Sequence, residues 1–330
     1  MSALGDVLFA LPAVQALLDS RRAERVAWLV EDRAAVLLEG WPGVHEVLVF
    51  PRRSPARWPA WAARLARRRD SVVIDFQSNL KSRLQLGLLR CPRKLGFGPT
   101  VARDGAWHAL SDAVDPPSSA RHRIAQNLAL VAALGVAVPR RPGRPPLPVP
   151  APAAARADAL LRGLGGGPAV LLHPGTSAFG EFKRWPAAHF GRLGRLLVER
   201  RGARLLLTGG PGEAALVESV RAALSVPATV VPPGSLHDLS ALCARVDLLV
   251  ASDSLPLHLA NVHGTPVLGL YGPKDPARTG PFFDRSRVLL AGVACSPCTL
   301  RRCSDRICME RLLPERVCAE AEALLDGRTA

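Results

Sequence analysis

The sequence is short of several things, and each shortage removes a class of protein. Of 43 basic residues only four are lysine (Lys81, Lys94, Lys183 and Lys274), and only 28 acids oppose them. The net charge of +15 is therefore carried by arginine. With the abundance of Ala, Gly and Pro, it reflects GC-rich coding as readily as an anionic partner. Aromatic residues make up 5% of the chain and the basic residues are spread along it, with no recognition motif among them. This excludes the usual design of a nucleic-acid-binding protein. No apolar run reaches the roughly 18 to 20 residues that span a bilayer. The N-terminus also lacks the basic stretch, apolar core and cleavage site of a secretory signal, so a cytoplasmic location is expected. Cysteine forms no framework over the chain, since five of the seven crowd into the last 36 residues.

One further absence is structural. The sequence opens on MSALGDVLFALPAVQALL, a loop followed by an apolar helix, without the strand that precedes such a helix in a doubly wound domain. Either that strand is absent or the true start lies upstream.

What is present describes an α/β protein of two domains. A chain of 330 residues exceeds the size at which one core usually keeps growing. Strand-length apolar runs (RVAWLV at 25 to 30, EVLVF at 46 to 50, SVVIDF at 71 to 76) alternate with amphipathic segments in the first half. A proline-rich passage at 139 to 152 excludes helix and central strand and reads as the linker. The second half repeats the alternation through PAVLLHP, ARLLLTGG, ATVVPP, DLLVAS and PVLGLYG. The boundaries are 1–150 and 151–330, two doubly wound Rossmann-like domains facing a cleft. In such sheets ligands sit at the carboxyl ends of the strands.

The polar motifs of the second half fall at those ends. PAVLLHP runs into His173, Gly175, Thr176 and Ser177, and ten residues after His173 come Lys183, Arg184 and Trp185 before Pro186 starts a helix. Exposed backbone N–H groups, hydroxyls and a cation on a flexible stem are the parts of a phosphate site. The alternative is a β-to-α surface loop with a basic pair. The next strand but two ends at Asp253 and Ser254, with His258 near the start of the following helix, where an anion is welcome. Between them Glu213 opens a helix after LLLTGGPG; it either binds ribose hydroxyls or complements the helix N-terminus. In the first half, Asp6 is either a functional carboxylate or the cap of its apolar helix. Lys81, Arg121, His122 and Arg123 are either an anion site or a solvated basic face.

These motifs resemble those of glycosyltransferase family 9, the lipopolysaccharide heptosyltransferases, over nearly the whole chain. The matching elements are Gly5, Asp6 and Pro12; Asp75, Gln77, Lys81 and Ser82; His173 to Gly175; Lys183 to Pro186; Asp253 to His258; and Tyr271 to Pro276. The resemblance implies a GT-B fold, with an N-terminal acceptor-binding domain and a C-terminal nucleotide-sugar-binding domain carrying a Cys-rich tail. It implies inverting transfer of heptose from ADP-heptose to the lipopolysaccharide inner core, without metal or cofactor. Asp6 would be the general base, and Lys183 with His258 would stabilise the ADP leaving group. His173, Gly175, Thr176, Ser177, Glu213, Asp253 and Ser254 would complete the donor site; Gln77, Lys81, Arg121 and His122 would meet a lipid-linked oligosaccharide acceptor at the inner membrane face. Alternatives of other kinds are a GT-B nucleotide-sugar epimerase and a diverged member with another donor or impaired activity. The departure that favours the last is Leu255, which stands where the family has a glycine beside the phosphate site. A glycine allows unusual φ or close backbone approach, and leucine forbids both. For Cys295, Cys298, Cys303, Cys308 and Cys318 the spacing leaves zinc, disulfide and reduced thiol open.

Overall fold

The computed structural model describes residues 4–177, 180–298, 300 and 302–327. Ala178 and Phe179 of the phosphate-site motif, Thr299 and Arg301 of the cysteine tail, and the opening Met1 to Ala3 lie outside them. The chain divides into two compact units, Met1–Pro148 and Val149–Ala330.

The first unit contains, in order, α1 (Leu4–Asp19), β1 (Val26–Glu31), α2 (Asp32–Ala35), β2 (Val44–Phe50), α3 (Trp58–Arg67), β3 (Val72–Asp75), α4 (Leu80–Leu88), β4 (Arg93–Phe97), β5 (Asp112–Val114) and α5 (Arg123–Ala132). Every strand pair is parallel, but the strands form two sheets, β1–β2 and β3–β4–β5. The period-2 geometry of a strand sends alternate side chains to opposite faces. Val73 joins Leu48, Trp61, Leu65 and Leu86 in a core under α3 and α4, whereas Ile74 joins Leu95, Phe97 and Leu130 under α5. α1 packs on α5, and the buried Asn127 amide ties them by donating to the Phe9 carbonyl at 2.8 Å.

The proline-rich passage packs on this unit through Trp41, whose indole N–H donates to the Pro146 carbonyl. It ends two residues earlier than the sequence suggests. α6 (Ala151–Arg162) already contains Pro152, because proline in a first helical turn removes an N–H that has no partner there anyway.

The second unit continues with β6 (Ala169–His173), α7 (Ala187–Arg201), β7 (Arg204–Leu207), α8 (Ala214–Ala223), β8 (Ala228–Val230), α9 (Leu236–Cys243), β9 (Leu248–Ser252), α10 (Leu255–His263), β10 (Val267–Tyr271), α11 (Pro276–Thr279), β11 (Ser286–Leu290), α12 (Ile307–Glu310) and α13 (Pro314–Leu325). Its six parallel strands are ordered β11-β10-β9-β6-β7-β8. Strand order reverses between β6 and β9, and that switch point is where open sheets bind ligands. β6, β9 and β10 are buried along their whole length, as expected of strands with helices on both faces. Val170, Leu172, Leu205, Leu207 and Val250 face the core shared with α7, α8 and α13.

Candidate active site

The switch point of the second unit assembles most of the donor residues named above. β6 ends on His173, and the loop behind it brings Thr176 to the helix start after β7. There Glu213 acts as a latch. Its carboxylate accepts the Thr176 N–H at 2.8 Å and the Gly210 N–H at 2.7 Å, and Arg184 approaches at 3.4 Å. Glu213 is the N-cap residue of α8, yet its side chain makes no capping bond; it is spent on the two loops instead. Gly175 is there because nothing larger fits, since a Cβ would lie 2.0 Å from a Glu213 oxygen. Gly175→Ala is expected to expel that carboxylate from its two N–H donors. The thermal midpoint should fall by several degrees, in line with about 1–3 kcal/mol for unpaired buried groups, and donor KM should rise. Calorimetry and donor titration measure the two effects, and a variant matching the parent in both would disprove the latch.

At the neighbouring strand end a second carboxylate gathers cations. Lys183 Nζ lies 2.9 Å from Asp253 Oδ2 and donates also to the Asp253 carbonyl at 3.0 Å. His258 Nε2, on the first full turn of α10, is 3.6 Å from Asp253 Oδ1. The Tyr271 hydroxyl stands 3.5 Å from the same oxygen and donates to the Thr279 carbonyl at 3.0 Å. Burial would raise the Asp253 pKa, but the His258 hydrogen bond and the Lys183 charge outweigh it and hold the carboxyl well below its ordinary range. Ser252 and Ser254, which flank Asp253, have buried hydroxyls without a protein partner. The result is a largely buried cluster at the sheet's switch point, in which Lys183, His258, three hydroxyls and a helix start surround the Asp253 carboxylate, suited to an anionic ligand that meets the cations and N–H groups.

His173 itself ends β6, and its Nδ1 has no hydrogen-bond partner. It is buried, and burial lowers its pKa to about 4 against the opposing pull of Glu213. His263, bonded to Ser240 Oγ at 2.8 Å, is lowered to about 4 by burial and by the Arg245 charge. Both stay neutral in the fold down to a pH at which the unfolded chain, with pKa near 6.5, has taken up protons. The unfolded state then binds more protons, so stability is complete above about 6.5 and is lost as pH falls toward 4. Thermal melts at pH 7 and pH 5 should show a lower midpoint at pH 5. His173→Gln should shrink that difference.

In the first unit, Asp6 lies in the first turn of α1, beside the start of α5. Burial raises its pKa, while Arg123 and Arg103 favour the charged form. His122 caps α5, its Nδ1 accepting the Ile124 N–H at 3.1 Å, and its ring meets Phe9 edge-on, which fixes Arg123 next to α1. Arg121 is exposed at the same helix start. The Asp75 motif folds as a turn at the end of β3. Asp75 Oδ1 accepts the N–H groups of Gln77 and Ser78 at 2.9 and 3.1 Å. Ser78 takes φ +46° and its carbonyl accepts the Arg103 N–H, so this turn and Asp6 share the same arginine. Ser82 is a capping-box residue with Asn79. Lys81 is half-exposed and pairs at 3.5 Å with Glu31, which also binds Arg52.

A sequence model of glycosyltransferase family 9 (heptosyltransferase) matches residues 58–307, most of the chain. The chain belongs to this family. It is 25% identical over 297 residues to the lipopolysaccharide core heptosyltransferase OpsX of Haemophilus influenzae, covering 88% of this chain and 82% of that protein. It is 28% identical over 318 residues to lipopolysaccharide heptosyltransferase 1 of Pseudomonas aeruginosa, covering 92% and 85%. The structure of E. coli ADP-heptose lps heptosyltransferase II superposes with a TM-score of 0.77 at 21% identity, over 99% of this chain and 97% of that one. The fold is GT-B and the protein is a glycosyltransferase.

Two features singled out from the sequence take a definite form in the fold. Leu255 is the first residue of α10 and has ordinary helical backbone, so an unusual φ is not required there. What the leucine retains of the expected conflict is its side chain beside the turn between β9 and α10. The tail cysteines are all unpaired, with Cys308 and Cys318 buried and Cys295 and Cys303 exposed. Among the described residues no three potential ligands gather as a metal site. Cys308 packs with Met309 against Gly272, where a Cβ would meet their sulfurs at 2.8 and 2.5 Å. Tyr271 and Arg103 were not singled out from the sequence. The Tyr-Gly-x-x-Asp-Pro motif flagged the first as a motif position without a role, and nothing local flags the second. No helix among the described residues is long and apolar enough to cross a membrane.

Proposed function

We propose that this glycosyltransferase moves heptose from ADP-heptose to the inner core of a lipopolysaccharide. The named relatives support the sugar and the acceptor. The Lys183–Asp253–His258 group at the switch point is the observation that carries the donor assignment. The diphosphate binds against the first turn of α10 and the loop after β6, with Lys183 and His258 facing it and Ser252 and Ser254 as free hydroxyl donors. An acceptor hydroxyl attacks C1 of the heptose from the face opposite ADP. Its proton passes to Asp6, the C1–O bond to the diphosphate breaks, and the configuration at C1 inverts. Burial makes Asp6 a stronger base than an exposed aspartate, and the arginines beside it partly offset that by favouring its charged form. Lys183 meets the charge that grows on the leaving ADP. Glu213 holds the donor loops in place, one carboxylate oxygen on each. Gln77, Lys81, Arg121 and His122 line the acceptor side, and the arginine-rich surface favours approach to an anionic bilayer face.

ADP release by purified protein, measured with ADP-heptose with and without heptose-deficient lipopolysaccharide, tests the reading. Acceptor-dependent release supports it. Release without acceptor indicates hydrolysis, conversion of the donor without net ADP release indicates epimerisation, and no reaction with this donor overturns the donor assignment. Since lysine and a helix terminus serve the leaving group, EDTA in excess is expected to leave the rate within about twofold, whereas a metal-dependent transferase would lose about 10²-fold or more.

A further inference from the structure

Helix α4 is apolar on two faces. Leu86, with Leu89 just past the helix end, packs with Trp61 and Leu65 of α3 in a core of the first unit. On the opposite side Leu80, Leu84 and Leu88 are 50%, 65% and 38% exposed. At about 100° per residue, their four-residue spacing keeps them within about 80° of one another around the helix. A surface helix normally turns polar residues outward; single exposed leucines are ordinary, an aligned row of three is not. α3 packs beside α4, and Trp58 at its start is 46% exposed. The Glu31 carboxylate, paired with Arg52 ahead of α3 and with Lys81 of α4, brings the two helix starts to one edge. Although basic residues occur along the whole chain, their excess over acids is concentrated here. Residues 51 to 110 hold thirteen lysines and arginines against three acids, ten of the chain's fifteen excess positive charges. The three acids are engaged: Asp70 with Arg68, Asp75 with the N–H groups of Gln77 and Ser78, and Asp104 with the N–H of Leu80. Arg53 and Arg57 before α3, Arg67 at its end and Arg90 after α4 are exposed, and their side chains make no hydrogen bond or ion pair among the described residues.

We infer that the outer face of α3 and α4 is a docking surface for an anionic lipid bilayer. Leu80, Leu84 and Leu88 enter the boundary between headgroups and acyl chains, Trp58 sits at headgroup level, and the four arginines meet lipid phosphates. A bilayer satisfies both properties of the surface at once. A nucleic acid would leave the leucines in water, and an apolar protein face would leave the arginines without counter-charge. The contact is peripheral, since no helix among the described residues is long and apolar enough to cross a membrane. The purpose of the surface rests on the proposed function, in which the acceptor is linked to lipid; its existence is read by binding alone, without turnover.

The full chain is sedimented with vesicles of phosphatidylcholine alone and with vesicles in which phosphatidylglycerol replaces part of it. The parent partitions onto the anionic vesicles at least about tenfold more strongly than onto the neutral ones. Leu84→Ser with Leu88→Ser lowers that partition at least about tenfold at an unchanged thermal midpoint, because both side chains are exposed in the free protein. Arg53→Gln with Arg57→Gln weakens binding to the anionic vesicles and leaves the neutral ones unaffected. No partition of the parent, or partition that both double variants keep in full, overturns the inference. So does a parent that binds no vesicle and sediments as a dimer while the leucine variant is a monomer, which assigns the row to a second copy of the chain. Transfer assays separate this surface from the proposed reaction. The leucine variant keeps parental turnover on a water-soluble acceptor fragment and loses about tenfold on acceptor embedded in vesicles. If the parent transfers heptose to neither acceptor, the proposed reaction fails, and vesicle partition still decides the surface.

Discussion

Asp6→Asn is expected to lower kcat by about 10²- to 10⁴-fold, the range in which a positioned general base contributes, while the donor KM stays within about threefold. Asparagine keeps the size of the side chain and its place in the first turn of α1, and removes only the ability to take a proton. Stability should not fall with activity. The Asp6 carboxyl is raised by burial, which means the fold disfavours its charge despite Arg123 and Arg103. Removing that charge is neutral or stabilising, so the thermal midpoint should hold or rise. The pH profile separates this from a structural defect. In the parent, kcat/KM rises through the Asp6 pKa, above the ordinary value of 3.8; in the variant that acid limb disappears. Turnover equal to the parent would mean that another group takes the acceptor proton.

Lys183→Met should cut kcat by about 10²- to 10³-fold, as loss of one charge-stabilising donor does elsewhere, and also raise donor KM. Here stability should fall as well. Methionine keeps the stem but leaves Asp253 with a 3.6 Å approach from His258 and a 3.5 Å one from Tyr271. Breaking a buried pair costs about 3–5 kcal/mol, because the remaining charge stays desolvated. The sign of the pH effect follows from the same pair. Asp253 is depressed in the fold, so its contribution is present above the unfolded value of 3.8 and is lost as pH falls through the folded one. Without Lys183 the folded value rises, and acid unfolding should begin at higher pH. The double variant Lys183→Met with Asp253→Asn should regain most of the stability and none of the activity. If instead both singles unfold like the parent, the pair is surface decoration and the donor site lies elsewhere.

The two halves of the chain were not equally legible. β6, β9 and β10 are read from sequence because burial on both faces demands unbroken apolar runs. β4 is missed because its RKLGF carries Arg93 and Lys94 at its start, where a strand can keep long side chains in solvent, and β11 is a short edge strand with only its leucines to show. Motif residues with a local job were visible as types but not as jobs. Ser82 reads as part of an acceptor motif and turns out to cap α4; Glu213 reads as a ribose ligand or a dipole partner and latches two loops. The pairing of Asp6 with Arg123 and of Lys183 with Asp253 depends on tertiary folding, so no spacing rule announces it.

The Trp185 indole N–H, buried beside the loop that bears Lys183, donates to the carbonyl of Leu312 at 2.8 Å, and Arg192 of α7 pairs with Glu315 at the start of α13. The loop proposed to hold the donor is thus bolted to the segment that leads into α13. A nonsense codon ahead of Leu312 should therefore remove this anchor together with the buried residues of α13, and surface as loss of the folded second unit. A change in α13 would thus reach the Lys183 loop through Trp185, Arg192 and the core that α7 and α13 share.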